Sequence, residues 1–449
     1  MIKAYYRFIV LSLVIIILII FGIDTVDIVA LAQPTVKDPN LKVDVFAQGL
    51  NSPTSMTFLD STHILVLEKE TGAVRLIVNG QLQNQPILTV PINTENERGL
   101  LGIVSTADTT TTTTNNKFVF LYYTEANNNI NSELRNRIYR YQWNGINLIN
   151  PVLILDLPAI PGPNHDGGKM VIGSQDHYLY AVIGDLNHRG QLQNIKDGPP
   201  PDNTSVILRI NPLDGSPAKN NPFVNTSNNN SGNNNNNGGK SSTLMDSSRY
   251  YYAYGIRNSF GLAFDPILHN LWDTENGPGE YDEINLVKPG FNSGWIKVMG
   301  PITQSGISSG ENQLVNLPGS KYLDPVFSWK APVAVTGIEF LNSSKLGNRY
   351  KDNVFVGDYN NGNLYFFELN NTRTGFNFNN SNQLKLQQQQ AGLTDLVVDN
   401  DQEESQVTFG SGFGSITDIK TGPADGYLYI VSISDGIIYR ILPVDSMRP

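Results

Sequence analysis

Cysteine is absent from all 449 residues, which excludes disulfides, thiolate metal sites and thiol nucleophiles and leaves the chemistry to oxygen and nitrogen groups. A core of this size does not need disulfides, so their absence by itself does not fix the compartment. Positive charge is also short. The chain has 31 Lys and Arg against 41 Asp and Glu, a formal net charge of −10, and no basic stripe follows the N-terminus, which speaks against a nucleic-acid partner. Strong helix formers at helical spacing are scarce after the first thirty residues. With 20 Tyr, 19 Phe and 40 Gly, the composition favours strands and turns. These absences point to an all-β protein whose partners are small molecules or other proteins.

The first 32 residues read differently. Lys3 and Arg7 precede an uncharged run from Phe8 to Ile23, and Ala30-Leu31-Ala32 gives a small-x-small cleavage pattern before Gln33. Residues 1–32 are predicted to be a signal peptide or a retained membrane anchor, the run being slightly short of the ~20 residues of a comfortable span. Either way the rest of the chain is expected to be extracellular or at the cell surface, touching the membrane only through this segment. Sequons at Asn203, Asn225, Asn229, Asn342, Asn370 and Asn379 are compatible with glycosylation there.

From residue 33 to 449 one unit returns six times. Its first strand reads SMTFL (55–59), GLLGIV (99–104), GGKMVIG (167–173), FGLAFDP (260–266), VTGIEFL (335–341) and SITDIKTG (415–422). Each is followed by a second strand, such as HILVLEKE or YLYAVIGD, and then by a third, such as AVRLIV or GIIYRILP. Repeated small sheets hide their edges by closing radially, so the repeat predicts a six-bladed β-propeller in a single domain. A pair of stacked sandwiches would not repeat the Gly-rich approach to each inner strand. Low-complexity stretches near 107–116, 225–243 and 377–392 are expected to be loops, because such tracts bury too little apolar surface to offset ordering.

In a propeller the loops before the inner strands gather at one mouth. PGPNHDGGKMVIG carries His165, and its unit continues to Asp185 in AVIGDLNHRG; a histidine oriented by a carboxylate is a general base suited to neutral pH. YGIRNSFGLAFDP carries Arg257 and Asn258, and arginine supplies fixed donors for a carboxylate or a developing oxyanion. The TENGPGEYDEINLV segment offers carbonyls at Gly277 and Pro278, with Asp282 and Glu283 close by, to a hard cation such as calcium. Structural roles stand beside these: a loop-satisfying His165, an ion-paired Arg257, a turn-capping DEIN.

ERGLLGIV, NHDGGKMVIG, RNSFGLAFDP, GPGEYDEINLV followed by NSGW, and GSITDIKTGPADGYLYIV run in the order found in the glucose/sorbosone dehydrogenase family, which the chain resembles over nearly its whole mature length. The resemblance implies an oxidoreductase of the PQQ-dependent soluble glucose and aldose sugar dehydrogenase kind, which oxidises the anomeric hydroxyl of a sugar to a lactone with PQQ and Ca2+. It assigns His165 as base, Asp185 as its holder and Arg257 as the stabiliser of charge on the quinone. Asn258 would bond the cofactor, and the carbonyls of Gly277 and Pro278 would ligate calcium. A sugar substrate and an external electron acceptor are the implied partners.

Several cofactor-binding positions depart from that family. Glu97 stands where glutamine is usual, Asn360 near the place of a lysine, and Ser415 and Thr417 where two arginines are usual. PQQ is a tricarboxylate, and three lost charge-assisted bonds at about 1.5–3 kcal/mol each would cost roughly 4–9 kcal/mol, or about three to six decades of affinity. Arg98, Lys169, Arg189 and Lys330 are the candidate compensating cations. Two other readings therefore stay open: a quinone-less propeller serving as an extracellular binding module, and a calcium-dependent lactonase.

Overall fold

The computed structural model describes residues 33–106, 117–126, 133–224, 247–304, 310–378, 393 and 395–445. The segment 1–32, the tracts 107–116 and 225–243, and the third tract beyond Phe378 lie outside them.

The described chain is all-β in a propeller-like arrangement, and its strands fall into six sheets. Each expected first strand is observed: Pro53–Phe58, Leu100–Ser105, Met170–Ile172, Ser259–Phe264, Val335–Phe340 and Ile416–Thr421. These inner strands touch in chain order, and Ile416–Thr421 returns to Pro53–Phe58, so they close a ring. The six sheets are numbered here in that order.

Packing between sheets follows from the two-residue period of a strand. In Leu179–Ile183, the second strand of sheet three, Leu179, Ala181 and Ile183 join the core shared with Phe120, Tyr122 and Ile138 of sheet two. Tyr180 and Val182 between them turn to Leu262 and Leu271 of sheet four. Both faces are covered, which is why this strand and Leu428–Ser432 are buried throughout and read as near-continuous apolar runs rather than alternating ones. Full burial of one such side chain stabilises by about 1.5–3 kcal/mol. Glycine permits the closest approach at the ring: a Cβ on Gly102 would lie 1.9 Å from the carbonyl oxygen of Gly168.

Outer strands come from distant segments. Leu41–Gln48 pairs with Ile437–Pro443, so the start of the described chain completes sheet six. Thr35–Val36 pairs with Thr408–Ser411 at the outside of sheet five. Joining the two ends of the chain in this way covers edges that would otherwise template aggregation.

Candidate functional site

The approaches to the inner strands converge on a cavity of about 800 Å³. Thr54, Glu97, His165, Arg257, Ala334 and Thr417 line it, one from each sheet in order. Asn258, Gly277 and Asn360 line it too; Asp185, Pro278 and Ser415 are not among its lining residues.

His165 sits at φ 66°, a left-handed conformation uncommon outside glycine that favours a search for function. Its backbone N–H donates to Glu97 Oε2 at 2.6 Å. Its Nδ1 lies 2.5 Å from Asp185 Oδ1. An ionised carboxylate can only accept, so the proton of that bond belongs on Nδ1 and Nε2 keeps its lone pair. Asp185 is buried and held from three further sides. Oδ1 accepts the Asn187 N–H at 2.8 Å, Oδ2 accepts Trp295 Nε1–H at 2.7 Å, and its own N–H donates to the Arg257 carbonyl at 2.8 Å. Glycine at 184 permits this junction, because a Cβ there would lie 2.5 Å from both the His165 and the Arg257 carbonyl oxygens.

Arg257 is anchored by its main chain and left open at its head. Its N–H donates to Glu275 Oε1 at 2.7 Å and Nη1 donates to the Asn276 carbonyl at 2.9 Å, while the guanidinium lies 5.4 Å from the Trp295 ring centre. It makes no ion pair among the described residues, contrary to the structural alternative, and burial lowers its pKa. Burial likewise raises Glu275, to about 7. Asn258 Nδ2 donates to Glu97 Oε2 at 3.2 Å. Arg257 Nε, Asn258 Oδ1 and Asn276 Oδ1 are buried without partners among the described residues, which leaves them to water or to a polar ligand in the cavity.

The Gly277–Pro278 turn is braced rather than flanked by carboxylates. Asp282 Oδ1 accepts the Gly277 N–H at 2.9 Å, and Oδ2 accepts from Ala334 and Val335 N–H at 2.6 and 3.3 Å. Glu283 turns away to the Gly300 N–H at 2.6 Å and Asn285. Neither is therefore placed as a cation ligand. Among the described residues no three His, Cys, Asp or Glu side chains form a metal-holding group, whereas a lactonase would use a cluster of carboxylates.

Of the four candidate compensating cations only Lys169 lines the cavity. Arg98 is turned to Glu95 and the Ala159 carbonyl, and Arg189 and Lys330 are exposed elsewhere. Lys169 is buried against Asp418, and desolvation draws its pKa down to about 8. Lys69, which the sequence reading passed over, is a second cavity lysine; it bonds Glu70 Oε1 and the Asn96 carbonyl, each at 2.8 Å. Trp295 was missed as well, although an indole N–H is a donor that needs an acceptor once buried, and the NSGW string was visible. Asn360 is exposed, with a long 3.5 Å contact to the Pro332 carbonyl. Ser415 bonds through its N–H to Ser434 Oγ at 2.9 Å.

A family model for glucose / sorbosone dehydrogenase matches residues 50–440. The aldose sugar dehydrogenase YliI of Escherichia coli (strain K12) is 24% identical over 407 residues, 90% of this chain and 93% of that protein. Quinoprotein glucose dehydrogenase B of Acinetobacter calcoaceticus is 29% identical over 293 residues, 60% of this chain and 55% of its own length. Among solved structures, the PQQ-bound form of aldose sugar dehydrogenase from Streptomyces coelicolor aligns with a TM-score of 0.62 at 24% identity, covering 91% of this chain and 99% of that one, a likeness of fold.

Proposed function

This chain belongs to the glucose / sorbosone dehydrogenase family, and from that premise we infer that it is an exported sugar dehydrogenase oxidising the anomeric hydroxyl of an aldose to a lactone, with PQQ and calcium at the mouth. In this reading the six sheets are the six blades of a closed propeller, with the reaction at its centre. The observation that carries it is the His165–Asp185 pair opening beside Arg257 on one cavity.

The lining suits the cofactor in part. Three cations, Lys69, Lys169 and Arg257, line a cavity of about 800 Å³, room for a tricyclic tricarboxylate together with a sugar ring. The buried unpartnered atoms of Arg257 and Asn258 supply polar positions for it. Arg257, Asn258, Glu97, Asn360 and Thr417 would surround PQQ, and the carbonyls of Gly277 and Pro278 would hold calcium. Ser415, assigned to the cofactor by resemblance, is not among the lining residues, and its main-chain N–H donates to Ser434 Oγ.

When bound, PQQ supplies a two-electron acceptor for the hydride of the anomeric carbon. The remaining work belongs to the chain. His165 Nε2 takes the hydroxyl proton as the C–H bond breaks, and Asp185 keeps the ring in the tautomer that allows it and stabilises the imidazolium that forms. Arg257 would present its guanidinium to the oxygen of a bound quinone that gains negative charge. Glu97 fixes the His165 main chain and the Asn258 amide at once.

The test is to mix the purified protein with PQQ and calcium, add aldoses, and follow reduction of an artificial acceptor together with lactone formation. Absence of PQQ binding at micromolar concentrations would overturn the reading. The hydroxyl of Thr417 in place of an arginine favours the second reading, a quinone-less binding module; that reading expects His165→Ala to leave sugar binding intact and no turnover to exist. Export is tested separately, by sequencing the N-terminus of the secreted or membrane-bound protein.

A further inference from the structure

We propose that Lys69 and Lys169 seat the carboxylates of the quinone, replacing the cations that the fifth and sixth sheets lack; the proposal rests on the quinoprotein reading above. Serine and threonine hydroxyls on the cavity wall are the obvious substitutes for missing arginines, but their hydrogens are already committed. Thr54 Oγ1 donates to the Leu100 carbonyl at 2.9 Å, Ser55 Oγ to Asp418 Oδ2 at 2.8 Å, and Thr417 Oγ1 to the Pro53 carbonyl at 3.0 Å. Thr336 Oγ1 donates to the Ile416 carbonyl at 2.6 Å, Ser434 Oγ to Asp435 Oδ1 at 3.0 Å, and Ser52 Oγ is directed to Asn51 Oδ1 at 3.4 Å. A hydroxyl has one hydrogen, so these six serine and threonine side chains meet an anion with lone pairs.

Ammonium groups differ because they carry three donors. Lys69 places one on Glu70 and one on the Asn96 carbonyl, which leaves one. Lys169 places one on Asp418, which leaves two without an acceptor among the described residues. Asp418 is itself fully engaged: it accepts from Ser55 and from the Met56 N–H at 2.9 Å, with Lys420 Nζ 3.8 Å away. It therefore pins Lys169 at the ring without using up its donors. With Arg257 committed to the quinone oxygen, these two lysines are the remaining cations on the lining.

The experiment titrates PQQ into the full-length protein with calcium present and follows cofactor absorbance, so that affinity is read independently of turnover. Lys69→Met should weaken binding by roughly 10–100-fold, the loss of one charge-assisted bond. Lys69→Arg should restore most of it. Because Lys169→Met alone removes the nearer of the two lysines that pair with buried Asp418, it is combined with Asp418→Asn, and a thermal melt checks the fold; the same ~10–100-fold loss is expected. Lys345→Met, at an exposed position that is not among the lining residues, should change nothing. If wild type binds PQQ and folded Lys69→Met binds equally well, this inference is overturned while the quinoprotein reading stands. If wild type binds no PQQ, both are overturned. Should the Lys169 double variant fail to fold, Lys69→Met with its arginine rescue decides.

Discussion

The two sides of the cavity are both polar, but they are satisfied in opposite ways. On the side of sheets three and four, a buried carboxylate collects donors: Asp185 accepts from His165, Asn187 and Trp295. That arrangement consumes acceptors and leaves reactive valences open, a nitrogen lone pair on His165 and an orphaned Nε–H on Arg257. On the side of sheet six, hydroxyls close onto main-chain carbonyls, as Thr417 does onto Pro53. The first side leaves polar valences toward the cavity, and the second turns its hydroxyl hydrogens away from it. Residue polarity alone does not distinguish them; where each hydrogen is directed does.

The comparison is broken most severely at His165. His165→Ala should lower turnover with PQQ by about 10²–10⁴-fold while leaving PQQ affinity within a few-fold, since it removes the base and no cofactor contact; unchanged turnover would mean that the dyad is only structural. Next comes the Gly277–Pro278 turn, the proposed calcium site. Asp282→Ala frees the Gly277 N–H, and loss of such a supporting bond should raise the calcium concentration needed for half-maximal PQQ binding by roughly 10–100-fold. A calcium titration that superposes on wild type would show that the turn is not the cation site.

Sheet six can be sharpened rather than broken. Thr417→Arg puts a permanent cation at a lining position and should tighten PQQ binding by about tenfold, one charge-assisted bond less the cost of ordering the side chain. Weaker binding would mean that the cofactor does not approach this wall. The smallest effect is expected beneath His165. Burial holds Asp166 at about 6, above its ordinary 3.8, although Asn136 Nδ2 donates to it at 2.9 Å. Between those values the folded chain binds a proton that the unfolded chain has released, so stability falls as pH rises through that window. Asp166→Asn keeps the Asn136 bond and should flatten the change in melting temperature between pH 4 and 6. An unaltered slope would move the effect to another buried carboxyl.

Much of this molecule was legible in the sequence because strand patterning is local. Val354–Asp358 announces itself as an apolar run, and the Gly-rich approaches mark where ring strands come too close for a Cβ. Outer strands such as Thr35–Val36 were not legible, since two residues carry no period and their partners lie hundreds of positions away. At the site, residue types singled out His165, Asp185 and Arg257, which the structure brings together. They did not foretell that Asp282 would spend both oxygens on backbone N–H groups, or that Lys69 would reach the cavity when Arg98, Arg189 and Lys330 do not.

The amino-acid order by itself determined an all-β repeat without thiol chemistry, the placement of polar residues before inner strands, and uncharged hydroxyl residues at Ser415 and Thr417. Those properties follow from side-chain periodicity and from residue identity, which need no neighbours. Only the tertiary structure decided which cations share the cavity and which hydrogens remain free there. Both depend on where separate sheets meet: Lys169 reaches Asp418 across 249 positions of chain, and Thr417 reaches Pro53 across 364. Such pairings are set by ring closure, and no local pattern encodes them.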